Sequence, residues 1–288
     1  MKRLFLAAIL AALFLVPVTS ASATLTGEYA RFSKCPYTKT STQFCLYAES
    51  KNGSFVLGKK SVPLKNPVVI QGGLEGTEEN LSKPFNLAAA TSGDTLSKTA
   101  QPVPGGLLGV TAPTWWPQIL QDLFNETINN GFTGVNATVE IAGPVSGVKV
   151  NPLNALLQTG SVFELPVKVK LDNPFLGSSC YIGSNSNPIK LNLITGTTSP
   201  PAPNKPISGS PGELGEPAIG MLSFANNRLV DNSFSSPGAN GCGGFLFSWA
   251  VDPFVNSIVG VPSAAGTNTA ILEGTTYLVS AQVLREQP

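Results

Sequence analysis

The segment 163-FELPVKVKL-171 alternates along its length: Phe163, Leu165, Val167, Val169 and Leu171 are apolar, while Glu164, Lys168 and Lys170 take places between them. Side chains of an extended chain point to opposite faces in turn, so this spacing builds a strand with one dry face and one wet face. The same alternation returns in "NATVEIAG" (Ala137, Val139, Ile141) and in "YLVSAQV" (Tyr277, Val279, Ala281, Val283). Shorter apolar or alternating runs at 55–57, 68–70, 189–194 and 245–250 read as further strands separated by turns. The expected fold is mainly β: an antiparallel β-sandwich-like architecture of one or two units, with two short helices and two disulfides. The helices and a Pro-rich stretch favour a sandwich over a closed barrel.

The helices come from two exceptions to the alternation. In 113-PTWWPQILQDLFNETINNG-131, Ile119, Leu120, Leu123, Phe124 and Ile128 recur at helical spacing and Gly131 is placed to stop the helix. In 151-NPLNALLQTG-160, Asn151 can cap, Pro152 suits the first turn, Leu153, Leu156 and Leu157 share a face, and Gly160 ends the run. Both helices are expected to plug or cover a sheet. The stretch 199-SPPAPNKPISGSPGELGEP-217 carries six prolines, which lack ladder donors, so it cannot be a central strand. It reads as a domain linker or as a long excursion within the region 24–288.

Residues 1–23, MKRLFLAAILAALFLVPVTSASA, have the parts of a secretory signal peptide: Lys2 and Arg3, an apolar run from Leu4 to Val16, and the small-x-small site Ala21-Ser22-Ala23. No later apolar segment reaches membrane-spanning length. The expected location is secreted, extracellular, or held non-covalently at the cell surface. In an exported chain the cysteines Cys35, Cys45, Cys180 and Cys242 are expected to be oxidised. Three pairings are possible. Cys35 with Cys45 and Cys180 with Cys242 is favoured, because "PYTKTSTQF" resembles a hairpin and the Gly/Ser-rich loops "LGSSCYIG" and "ANGCGG" allow close backbone approach.

Charge and chemistry exclude more than they suggest. Lys and Arg number 18 against 17 Asp and Glu, and charged residues make up 12% of the chain, so no basic face awaits a nucleic acid. The absence of histidine removes Ser-His-Asp and Cys-His catalysis and the common His-based zinc sites. The cysteines contain no Cys-x-x-Cys pair, and neither a metal nor a cofactor is expected. Carboxylate chemistry needs only two acids. Glu140, Glu164, Asp172, Asp231 and Asp252 are candidates, read more simply as wet strand faces and turn formers. The acidic run "EGTEEN" (75–80) reads as a solvated loop rather than a calcium site. Trp115 and Trp116 are either ligand-facing aromatics, suited to sugar or lipid, or a staple at the start of the first helix.

Several phrases, among them "VIQGGL", "GFTGVNATVE", "ELPVKVKLDNPFLGSSCYIG", "GTTSPPAPNKPISG" and "LVDNSFSSPGANGCGG", resemble an uncharacterised group of exported proteins of high-GC Gram-positive bacteria. The group has no established activity, so the resemblance implies bacterial export and carries no functional residue. The leading expectation is therefore a non-catalytic secreted or cell-envelope β protein acting in binding, adhesion or surface structure, with a cell-wall glycan or lipid as partner. A secreted carboxylate-based glycan hydrolase is the first alternative. An envelope pore or lipid carrier, the latter with a closed apolar cavity, is the second.

Overall fold

The computed structural model describes residues 24–76, 83–129 and 132–287, so the proposed signal segment, most of "EGTEEN" and Gly131 lie outside the described residues. Fourteen strands form one antiparallel sheet: β1 (Thr42–Leu57), β2 (Lys60–Pro63), β3 (Val68–Glu75), β4 (Phe85–Ala88), β5 (Gln101–Pro102), β6 (Asn136–Ile141), β7 (Lys149–Val150), β8 (Phe163–Asp172), β9 (Tyr181–Ile182), β10 (Ile189–Leu193), β11 (Glu213–Ala218), β12 (Met221–Asp231), β13 (Ala239–Asn240) and β14 (Thr269–Ser280). The fold is mainly β, as the alternation predicts. On β8 the five apolar side chains are all buried, and on β10 Ile189, Leu191 and Leu193 repeat the pattern.

The path β12–β14–β1–β3–β4–β7–β8–β10 runs through adjacent strands. Just past β10, Ile194 and Val230 exchange backbone hydrogen bonds of 3.0 and 2.9 Å, returning the path to β12. The sandwich-like layers are thus joined along both sides. Closure satisfies backbone groups that a free edge would expose. Between the layers lies a core to which β1, β12 and β14 contribute Leu46, Phe224 and Leu278, and β8 and β10 contribute Val167 and Leu191. A second, smaller core packs Phe32, Met221 and Leu284 around the Cys35–Cys45 bridge.

The longest pairing, β1 with β14, shifts register between Ser50 and Asn52. There the two backbones come so close that a Cβ on Gly274 would sit 1.8 Å from the Glu49 carbonyl oxygen. Only glycine permits that approach. The Pro-rich stretch folds back on the sheet: Thr197 bridges Ser208, Ser210 bridges Arg228, and β11, which contains Pro217, pairs with β12. β11 lies at the end of the strand order, where a missing ladder donor is tolerated.

The helices α1 (Gln118–Asn129), α2 (Pro152–Leu157), α3 (Gly244–Val259) and α4 (Ala281–Arg285) require corrections to the sequence reading. Although α1 forms where its periodicity predicts, it buries no residue and does not cover the sheet. It closes instead on its own leading loop: the Asn125 and Asn129 carboxamide oxygens accept from the N–H groups of Ala112 and Gly105, and Gln121 donates to the Trp116 carbonyl. α2 has the expected Asn151 cap and Pro152 start. Its buried residue is Ala155 rather than the leucine face, because the cap and the Thr195 hydroxyl, donating to the Ala155 carbonyl, fix its orientation.

The run 245–250 is helix, not strand. Within α3, Asp252 accepts N–H bonds from Cys242 (2.7 Å) and Gly241 (3.2 Å), and Asn256 accepts from Ala239 (2.7 Å). These bonds dock the helix through its polar side chains. The alternation in "YLVSAQV" likewise breaks at Ser280, whose hydroxyl caps α4 by accepting from Gln282.

Candidate functional site

Side chains of β1, β2 and β14 face those of β6, β8, β9 and β10 across an interior cavity of about 120 Å³. Val139, Val169 and Ile182 sit side by side in register on β6, β8 and β9, and all three line it. Phe55, Leu57 and Leu272 line the opposite layer. The strand alternation that makes β8 half wet is what turns Leu165, Val169 and Leu171 toward this space. A small recess beneath α3 adjoins the cavity, with Lys60, Val103, Leu171 and Val259 lining both and Phe254, Val255 and Ile258 forming its roof.

The few polar groups lining the cavity are largely spent on the fold. Gln101 holds the 65–66 backbone, accepting from both N–H groups at 2.9 and 3.0 Å and donating to Asn66. Ser97 accepts from the Val69 N–H and from the Thr99 hydroxyl. Lys60 is the lone ionisable lining residue, half-buried, and burial alone pushes its ammonium below the ordinary lysine value.

Lys60 owes its place to the tight turn between β1 and β2, where Leu57 pairs with Lys60 around Gly58 and Lys59. Gly58 has φ +54°, and a Cβ there would meet the Gly260 carbonyl oxygen at 2.2 Å. The fully buried Asn268 fastens the turn: its oxygen accepts from the Gly58 N–H (2.9 Å) and the Ser263 hydroxyl (2.7 Å), while its nitrogen donates to Phe234 (2.9 Å) and Ala264 (3.2 Å).

The candidate aromatics separate. Trp116 packs edge-on against Phe124 of α1, at 5.6 Å between ring centroids, as a staple does. Trp115 stays 81% exposed, and neither ring lines the cavity. On the N-terminal part of α3, ahead of the residues that roof the recess, Phe245 is 97% and Trp249 79% exposed, with Leu246 and Phe247 also outside. The apolar run 245–250 predicts a strand. Its hydrophobicity is instead at the surface.

The candidate carboxylates are dispersed. Glu140 pairs with Lys168 at 3.6 Å and Asp172 with Lys170 at 2.6 Å. Asp252 serves α3, and Glu164 lies in register opposite Lys149 and Asn192. Asp231 is buried at the end of β12, accepting from the N–H groups of Asn192 (2.7 Å) and Ser233 (2.9 Å). None of these acids lines the cavity, and among the described residues no group of three or more acids or cysteines could hold a metal ion.

Burial raises the Asp231 carboxyl above its ordinary value of 3.8, more than those two hydrogen bonds lower it. The folded chain then holds this proton more tightly than the unfolded chain. The contribution to stability is full below the unfolded value and is lost as pH rises through the raised folded value. Urea unfolding should therefore find the wild type, relative to Asp231→Asn, more stable at pH 3 than at pH 7. An equal or reversed difference would contradict this assignment.

Both disulfides join the expected partners: Cys35 with Cys45 at a Cα separation of 5.7 Å, and Cys180 with Cys242 at 4.0 Å. Among the described residues no cysteine is free and no helix is long and apolar enough to cross a membrane. No protein-family model matches the chain, and no curated protein or solved structure matches it either.

Proposed function

We propose that the protein is a non-catalytic exported β protein that holds the hydrocarbon chain of a lipid between its two sheet layers, as a lipid binder or carrier. The observation that carries this reading is the apolar interior cavity, with the recess under α3 adjoining it. Most of a core is packed to crystal-like density. Adjoining apolar voids therefore leave unfilled contacts that part of an acyl chain can supply. The exposed apolar side chains on the N-terminal part of α3, the helix that roofs the recess, would ease transfer of such a chain from a lipid surface.

Two alternatives have less support. A lipid-embedded pore carries apolar side chains outward and polar ones inward. Here β8 and β10 turn Glu164, Lys168, Lys170, Lys190 and Asn192 away from the core, the reverse arrangement. For a glycan hydrolase, two acids must flank one bond. Of the candidate acids, Asp231 and Asp252 serve backbone amides and Glu140 and Asp172 serve lysines instead.

Filling the cavity tests the reading. In a titration with a fluorescent fatty acid such as cis-parinarate, the wild type should bind saturably. Val169→Trp and the milder Ala137→Met should weaken binding about tenfold or more, with the unfolding temperature held or raised in at least the milder variant. Unchanged binding in both folded variants would place the ligand elsewhere.

A further inference from the structure

One charged side chain lines the cavity. Lys60 borders both the cavity and the recess, and its ammonium lies beside Gly109, where an added Cβ would be 3.0 Å from both Lys60 Nζ and Ile258 Cγ2. Among the described residues it has neither an ion pair nor a hydrogen bond. By contrast, the ammonium groups of Lys98, Lys168 and Lys170 each have a carboxylate within 4 Å.

A half-buried cation without a counter-charge costs solvation, and a long side chain with open water beside it normally extends there. Lys60, half-buried, lines the recess together with Val103, Leu171, Val259 and Ile258, on a turn fixed by Asn268. From this juxtaposition of an unpaired ammonium and an apolar cavity, we infer that the ligand is an anionic single-chain amphiphile, a long-chain fatty acid or alkyl phosphate. Its tail occupies the space beside Val139 and Val169 and its head group pairs with Lys60. A fatty-acid carboxylate needs one such partner; a phosphate monoester presents the same chemistry with greater charge. This inference rests on the lipid-binding reading and adds the head group.

Competition against bound cis-parinarate at pH 8 separates the two. Hexadecanoate, hexadecyl phosphate, hexadecanol and hexadecylamine share one chain and differ in charge. Wild type should bind an anion about tenfold tighter than hexadecanol, the advantage expected of a charge-assisted hydrogen bond in a partly dry site. Lys60→Gln should remove that preference, bringing the anion to the affinity of hexadecanol in the same variant. Lys60→Arg should retain it, and Lys60→Glu should shift preference toward hexadecylamine. The relative affinities of the carboxylate and the phosphate decide which anion the site fits. Equal binding of anion and alcohol by wild type, or an intact preference in Lys60→Gln, would overturn the head-group assignment and leave lipid binding standing. Failure of all four compounds to bind would overturn both.

Discussion

Replacing Cys180 and Cys242 together by alanine should lower the free energy of unfolding by about 4 kcal/mol, the value expected when a loop of this length is released in the unfolded chain. The 62-residue separation spans β9 to β13 and the whole Pro-rich excursion, whereas Cys35 and Cys45 are ten residues apart. For the shorter loop the same reasoning gives about 3 kcal/mol. The longer bridge also fills the main core, since both its cysteines are buried, and it ends two residues before α3. Its loss should therefore cost more than loss of the shorter one and should loosen the roof of the recess. Equilibrium urea unfolding of the two double variants checks the order. Equal or reversed costs would show that the bridge does not constrain the unfolded chain as argued.

Asn268→Ala should have a similar effect, about 4 kcal/mol, from one side chain. Its carboxamide accepts from the Gly58 N–H and the Ser263 hydroxyl and donates to two backbone carbonyls, all in the same interior corner. Each buried partner left unsatisfied costs about 1–3 kcal/mol, less where water reaches it. Asn268→Asp keeps the accepting oxygen but loses both donors, so its cost should be large as well. Since Gly58 begins the turn that presents Lys60, folded Asn268 variants should also lose anion preference. A change below about 1 kcal/mol in Asn268→Ala would refute the role given to this corner.

The regular half of the fold was legible because β8 repeats with a period that only a strand explains, and the structure buries that very face. Cysteine count and loop composition likewise led to the observed bridges. The failures occur where period carries no information. "FLFSWA" is apolar at nearly every position, and Pro253 follows within the same helix. Its state depends on Asp252 and Asn256 reaching backbone amides of residues 239–242, which are tertiary contacts invisible to a local pattern. For α1, an amphipathic spacing predicted a covered face, and the loop bonds of Asn125 and Asn129 kept that face outside.

The candidate site was harder still to read. Its lining runs from Ser54 to Leu272, and a valine that borders a void is indistinguishable in sequence from one that fills a core. Lys60 follows Lys59 on a Gly-containing turn and reads as a solvated pair; only the closeness of Gly109 and Ile258 sets it apart. The dispersal of the acids was half visible, since Glu140 and Glu164 lie on the wet faces their alternation gives them. Asp231 was read as a turn former, and its burial follows from the hydrogen bonds that tie the end of β12 to β10.

An acyl chain lying between the sheet layers should be visible by NMR on methyl-labelled protein with ¹³C-labelled hexadecanoate. Saturable one-to-one binding is expected, with cross-peaks from the chain to the methyl groups of Val139, Leu165, Val169 and Ile182. Cross-peaks confined to the exposed leucines of α1 and α3, or none at saturating ligand with the protein folded, would contradict this placement.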